Sequence, residues 1–334
     1  MNEHKTKSIT SVDVAKAAGV SRAAVSRTFS NNGYVSQETK QKVMEAANVL
    51  GYRVNHLARS LNRQRSDLIG LVVADMDNPF RSQQVSDLSE AILATNHRPL
   101  LIPTKKGRDS SQVIDMLLHY NVSGVVITSD TPPESIFKMC ADSSVPVVLV
   151  NKQDTHDKID RVICDNHKGI ELLVSAFSDS GCERVTMVSS KKDSFSIRNR
   201  EQMFCELAAE RGISTTILYP ETHCYQGGLA AAEMLTSESV APDGVFCAND
   251  YLALGVIDGL KERLGNECMA QIKVAGFDDM QQSSWSSYQL TTVKQSTEEM
   301  AQHCVELLLS RIEDPDQTSR TRTLDVSLIK RKTL

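Results

Sequence analysis

Apolar positions in the first fifty residues are sparse and spaced for short helices. Between Thr10 and Asn31, Val14, Ala15 and Ala18 share one face of a helix that Thr10 caps, with Asp13 as the returning partner three places on. Gly19 is the residue able to turn left-handed and end that helix. Val20 buries, and Ser21 caps a second helix from Arg22 to Phe29 whose inner positions are Val25 and Phe29. After the turn Asn31-Asn32-Gly33-Tyr34, Ser36 caps a third helix, Gln37 to Val49, with Val43, Ala46, Ala47 and Leu50 inside and Gly51 at its end.

From Leu68 the pattern changes to apolar runs separated by amphipathic stretches. The runs are 68–74, 99–103, 124–129, 145–151, 184–190, 244–248 and 272–278, with Leu324 to Ile329 as a late strand. Helical patterns lie near 81–95, 109–120, 166–180, 197–211, 226–236, 250–264 and 297–312. Strands that are apolar throughout and alternate with helices form parallel sheets covered on both faces, and the span suffices for two. The expected fold is a small all-α helix-turn-helix head followed by an α/β two-lobe body with parallel sheets.

Charge sharpens this division. Residues 1–65 carry eleven Lys and Arg against four Asp and Glu, whereas the remainder carries 26 against 38. A basic head on an acidic body puts a nucleic-acid contact at one end. Arg22, Ala23, Ser26 and Arg27 lie on the face of the second helix away from its core, which suits a DNA major groove. Eight cysteines without CxxC or Cys/His ligand spacing exclude a zinc site, and no cofactor or catalytic residue is expected. The N-terminus lacks a signal-peptide core and no apolar run reaches membrane length, so a cytoplasmic protein is expected.

The stretch VDVAKAAGVSRAAVSR (12–27) resembles the signature of the LacI/GalR family of bacterial transcription repressors. The resemblance implies double-stranded operator DNA as partner, with Thr10, Ser11, Ser21, Arg22, Ala23, Ser26, Arg27, Tyr34 and Ser36 facing it. Residues 53–65 are basic and too short for a stable lone helix. The family gives this stretch the role of a hinge helix that folds on the operator, with Asn55 and Ala58 in contact and Leu61 levered into the minor groove; a plain linker is the alternative.

Beyond residue 66 the element order resembles the two-lobed periplasmic sugar-binding-protein fold. Ligands of open parallel sheets sit beyond the C-terminal strand ends, where this chain carries polar groups. DNPF (77–80) resembles the family's cleft-lip element, and Arg200 matches its ligand-gripping arginine. Phe80, Arg81, Asn151, Ser196, Arg200, Asn249, Asp278 and Gln295 are therefore the candidate residues for a small effector, a sugar or sugar phosphate. Each has a structural alternative: Asn249-Asp250 as a helix cap, Arg200 with Asp278 as an ion pair, Phe80 as core. The family's pattern is also broken. No Phe or Trp stands at Glu221-Thr222-His223-Cys224, Arg81 follows Phe80 where a second apolar or aromatic residue is frequent, Cys164 lies where a pocket aromatic can occur, and SSYQLTTV lacks a proline. Trp285 is one source for the missing ring, and an anionic ligand held by Arg81 also fits these departures.

Rival classes fare worse. Asp278 and Asp279 are adjacent, which does not place two carboxyls across a glycosidic bond, and no nucleophile elbow, P-loop or GxGxxG occurs. A free-standing sugar-binding protein does not explain the basic head, and an architectural DNA binder has no need of a two-lobe body. The reading is a regulator with a head over 1–53, a hinge over 54–65 and a body over 66–334. Lobe 1 is set at about 66–164 and 295–322, lobe 2 at about 165–293 and 323–334. A symmetric dimer is expected, with Gln83 to Leu93 among the contacts and no C-terminal leucine heptad for a tetramer. Whether effector releases or recruits DNA is open.

Overall fold

The computed structural model describes residues 9–29, 34–53, 66–104, 110–128, 134–153, 156–190, 194–237 and 241–334. The expected hinge, with Asn55, Ala58 and Leu61, lies outside these residues. The chain divides into two compact units, Met1–Ser66 and Asp67–Leu334.

The first unit holds three helices, α1 (Ser11–Ala18), α2 (Arg22–Thr28) and α3 (Gln37–Leu50). The Asp13 carboxylate accepts from the Thr10 backbone N–H at 2.9 Å and from its hydroxyl at 2.7 Å, which fixes the first turn. Ser21 and Ser36 each accept a backbone N–H as N-caps, from Ala24 and Thr39. Gly19 and Gly51 end α1 and α3 at φ 65° and 66°, a conformation that costs glycine little. Val14, Ala15, Val25, Val43 and Ala47 form the core, with Val20 and Phe29 only partly buried against it.

The second unit contains two six-stranded sheets. In lobe 1 the order is β11 (Thr321–Leu324), β5 (Ile159–Cys164), β4 (Val147–Val150), β3 (Gly124–Ile127), β1 (Leu68–Val73) and β2 (Arg98–Pro103), all parallel. In lobe 2 it is β12 (Ser327–Ile329), β10 (Thr291–Lys294), β9 (Lys273–Asp278), β8 (Gly244–Cys247), β6 (Arg184–Val188) and β7 (Ser214–Leu218). Here β12 runs antiparallel to β10, so the all-parallel expectation fails at that edge. Lobe 1 carries α4 (Pro79–Ala94), α5 (Ser110–His119), α6 (Glu134–Asp142) and α12 (Thr297–Glu313). Lobe 2 carries α7 (Asn166–Asp179), α8 (Phe195–Glu210), α9 (Tyr225–Ser237), α10 (Asp250–Leu264) and the single turn α11 (Cys268–Gln271).

The chain crosses between lobes three times: from β5 to α7, from β10 to α12, and from β11 to β12. The single late strand expected over Leu324 to Ile329 is thus two strands in different sheets. Asp325 breaks it: its carboxylate accepts from the following backbone N–H at 2.8 Å and from Lys168 at 2.5 Å. The last crossing accordingly falls at Asp325–Val326, not at 322/323, and the second follows Lys294.

Candidate functional site

On α2, Arg22, Ala23, Ser26 and Arg27 are all exposed, while Val25 is buried between the helices. Tyr34 is exposed beyond it, and Thr10, Ser21 and Ser36 sit at the helix starts that they cap. Ser11 is half-buried in the first turn of α1. This surface offers guanidinium groups and hydroxyls on a rigid rod, the chemistry that reads base edges and phosphates.

In the body, one cavity is lined by Asn78, Phe80, Arg81, Asn151, Ser194, Ser196, Ile197, Arg200, His223, Ala248, Asn249, Asp278 and Gln295. It therefore brings together all eight effector candidates. Phe80 and Arg81 come from α4 and Ser196 and Arg200 from α8, and the rest come from strand ends of both sheets. Asp75 and Asn78 follow β1, Asn151 follows β4, Asn249 follows β8, Asp278 closes β9 and Gln295 follows β10. Asp75, Asn151, Asp278 and Asp279 have φ of 55°, 51°, 124° and 55°, values that turn each strand sharply at its exit. Such strain persists only where the surroundings hold it, and it concentrates at ligand sites.

A buried relay runs across the floor. The Cys164 backbone N–H donates to Asn151 Oδ1 at 3.0 Å, Asn151 Nδ2 donates to Gln295 Oε1 at 3.2 Å, and Gln295 Nε2 donates to Asp278 Oδ1 at 2.6 Å. Arg200 lies 3.8 Å from the same oxygen. Its Nε donates to Asn166 Oδ1 at 2.9 Å, one terminal nitrogen to the Ala248 carbonyl at 2.9 Å, and its plane stacks 3.5 Å from the centre of the Phe277 ring. Burial pushes the Asp278 carboxyl up to about 6, an effect that Arg200, Arg81 and the Gln295 hydrogen bond offset only in part. Behind it Asp250 is fully buried, accepting from Thr292 and Ser283 hydroxyls at 2.6 Å each and from the Met280 backbone at 3.0 Å. Burial, and then the neighbouring Asp278, raise it to about 7. Gly276 leaves room for that carboxylate, since a Cβ there would stand 2.1 Å from Asp250 Oδ1.

The structural alternatives are compatible with a place in the cavity lining. Asn249 caps α10 by accepting from Leu252 at 2.8 Å, donates to the His223 carbonyl at 3.2 Å, and still lines the cavity. Phe80 is buried within the hydrophobic cluster of lobe 2 although α4 belongs to lobe 1, so it fills the cleft as well as edging the cavity. Arg81 donates to the Thr128 carbonyl at 2.7 Å. Polar contacts that join the lobes include the buried Ser196 hydroxyl, which donates to the Asn151 carbonyl at 3.0 Å, and His223 Nε2, which lies 3.5 Å from Asp75 Oδ2. Trp285 does not supply the missing ring, because it is half exposed at the end of a short 3₁₀ helix (Gln281–Ser284) and outside the cavity lining. His223 lines the cavity in its stead. In the sequence His223 stands out only as a position without Phe or Trp, and Ser194, Ile197 and Ala248 join the lining without having been among the candidates. Ser194 had a signal available, as a hydroxyl at the start of the helix that carries Arg200.

A helix-turn-helix head joined to a two-lobed α/β body with a polar cleft defines a DNA-binding transcription regulator. The family model for bacterial regulatory proteins of the lacI family matches residues 10–55, and that for the periplasmic binding protein-like domain matches 174–334. The sucrose operon repressor of Pediococcus pentosaceus is 31% identical over 330 residues, covering 95% of this chain and 97% of that protein. The ribose operon repressor of Haemophilus influenzae is 26% identical over 336 residues, covering 96% and 97%. The lac repressor dimer bound to operator and the anti-inducer ONPF superposes with a TM-score of 0.86 at 26% identity, covering 98% of this chain and 99% of that one. This chain belongs to the lacI family of bacterial regulatory proteins.

Among the described residues no helix is long and apolar enough to cross a membrane.

Proposed function

We propose that this protein is a cytoplasmic, non-enzymatic repressor that holds a palindromic operator as a homodimer and is controlled by a small sugar-like effector in the body cleft. The observation that carries this reading is the cavity to which both lobes contribute amide, carboxylate, guanidinium and hydroxyl groups. These are directional donors and acceptors suited to sugar hydroxyls, with Phe80 as the apolar wall. The named relatives act at sucrose and ribose operons, which agrees with a carbohydrate effector.

In this reading Arg22, Ala23, Ser26 and Arg27 read base edges, and Thr10, Ser11, Ser21, Tyr34 and Ser36 position the head on the backbone. Asn55, Ala58 and Leu61 act in the hinge, and Gln83 to Leu93 of α4 contributes to the dimer contact. Effector and operator compete or cooperate through one coupling free energy, so each changes the other's affinity by the same factor. The test is a thermal-shift screen of the full chain against sugars and sugar phosphates, sucrose and ribose included. Any hit is then added to a mobility-shift assay on a palindrome selected from random DNA. A compound that raises the melting temperature and weakens the shift supports repressor release. One that strengthens the shift makes the effector a co-repressor. Absence of both a hit and a selected palindrome overturns the proposal.

A further inference from the structure

Arg200 reaches the cavity from α8, but the groups that set its orientation stand behind it. Its Nε–H donates to Asn166 Oδ1 at 2.9 Å, one terminal N–H donates to the Ala248 carbonyl at 2.9 Å, and the other terminal nitrogen lies 3.9 Å from Cys164 Sγ. The Phe277 ring supports the guanidinium from its face, 3.5 Å from the ring centre. Asn166 is buried and stands outside the cavity lining.

Asn166 is the first residue of α7, directly after the first crossing between the lobes. The turn that carries it is anchored on both sides. Asp165 caps α7 by accepting from the Lys168 backbone N–H at 3.0 Å, and its own N–H donates to the Leu324 carbonyl, at the third crossing, at 2.9 Å. Both groups that meet the Asn166 oxygen are donors, the Arg200 Nε–H and the Cys164 thiol at 3.3 Å, so the amide holds its oxygen toward the guanidinium. Gly169, one turn further on, seats the ring, since a Cβ there would stand 2.9 Å from Phe277 Cε2. One turn of α7 thus holds the guanidinium edge directly and its face through Phe277.

We propose that Asn166 is a positioning residue for Arg200, fixing the guanidinium in its cavity-facing orientation before any effector arrives. This rests on the reading of the cavity as the effector site. An amide suits the task because it engages the Nε–H without neutralising the cation. A carboxylate at the same 2.9 Å would draw off the charge that now faces Asp278 at 3.8 Å. The freedom of a long side chain is then given up on folding and not on binding, which favours the bound state.

The experiment is proton–nitrogen correlation spectroscopy of the effector-free full chain, deuterated and labelled with nitrogen-15, read on the arginine Nε–H signals. The Arg200 signal is the one missing from Arg200→Lys. In the unaltered protein its exchange with water is about tenfold slower than that of the exposed Arg22 and Arg27. Asn166→Ala moves the signal and brings its exchange to the level of those two, although the Ala248 carbonyl and the Phe277 ring are untouched. Asn166→Ser, whose hydroxyl stops short of Arg200, gives the same loss and serves where the alanine variant does not fold. Asn166→Asp, which keeps an acceptor in place, restores slow exchange. A purely structural role for Asn166 would lower the melting temperature of the alanine variant and leave the Arg200 signal where it was. That result, fast exchange in the unaltered protein, or fast exchange in a folded Asn166→Asp overturns the proposal. No effector is added, so a failed sugar screen has no bearing on this result, and a failure here leaves that screen standing.

Discussion

Asp160 in lobe 1 and Asp278 at the cleft are both buried carboxylates facing arginine, yet their acidities move in opposite directions. Burial alone would raise Asp160, but Arg311 donates to it at 2.9 and 2.8 Å and Arg320 adds its backbone N–H at 2.8 Å and a guanidinium N–H at 3.0 Å. Together these hold the carboxyl below its ordinary range. The remaining N–H groups of Arg311 reach the carbonyls of Gln317 at 2.6 Å and Thr318 at 3.0 Å. At Asp278 burial wins, because Arg200 stands off at 3.8 Å and spends its best bonds on Asn166 and Ala248. Burial does not decide what a charged pair is for; saturation does. The filled network staples β5 to α12 and to the chain entering β11. The underfilled one leaves acceptor capacity facing a cavity.

That contrast breaks most visibly at Arg311. Arg311→Met removes two of the hydrogen bonds to a fully buried carboxylate and leaves Arg320 as its remaining cation, and urea unfolding should show a loss of about 3–5 kcal/mol; a loss under 1 kcal/mol would remove the distinction. Arg200→Ala comes next. It removes the guanidinium donors to the Ala248 carbonyl and to Asn166 Oδ1, which keeps only the Cys164 thiol, at about 1–3 kcal/mol in all, while the thermal response to any effector disappears and operator binding persists.

Asp278→Asn probes the acidity itself. The folded state holds this proton up to about pH 6, whereas the unfolded chain releases it near 3.8. Stability from this group is therefore present below 3.8 and lost as pH rises toward 6. The variant should flatten that decline by on the order of 2 kcal/mol, read from unfolding midpoints at pH 4, 5, 6 and 7. Asp160 runs the other way, its stabilisation present above the ordinary carboxylate range and lost as pH falls through its lowered value. The smallest effect on the fold belongs to Arg27→Ala on the exposed face of α2. Its melting temperature should be unchanged, while binding weakens by ~1–3 kcal/mol and preference relaxes at one position of each half-site. Uniform weakening on every sequence would make Arg27 a phosphate contact.

The same contrast explains which parts were legible in the sequence. Apolar runs such as LIGLVV and GVFC are strands because both faces are covered, and their polar ends mark the cavity by position alone. Strands with polar residues inside were missed. β5 contains Asp160 and Arg161, and Asp160 reads as surface until its arginines arrive from residues 311 and 320. β10 begins with Thr291 and Thr292, both fully buried; the Thr292 hydroxyl donates to Asp250, and the Thr291 backbone N–H donates to the Thr333 hydroxyl oxygen at 2.9 Å. β7 is a half-buried edge with little hydrophobic signal. In the cavity, Arg200 and Asp278 were found, but their incomplete pairing was not. It depends on where Asn166 and the Ala248 carbonyl fall in space.

The separate placement of β11 and β12 has a consequence for biosynthesis. β11 forms an outer edge of the lobe 1 sheet and β12 an outer edge of the lobe 2 sheet, yet they are adjacent in sequence. Neither sheet has its full set of strands until residues 321–329 leave the ribosome. Lobe 1 must then pair β11 with a β5 synthesised some 160 residues earlier. Until then both lobes present an unpaired strand flank, at β5 and β10 respectively, and nascent chains on crowded polysomes are open to edge-to-edge association there. The release of one nine-residue segment closes both flanks together.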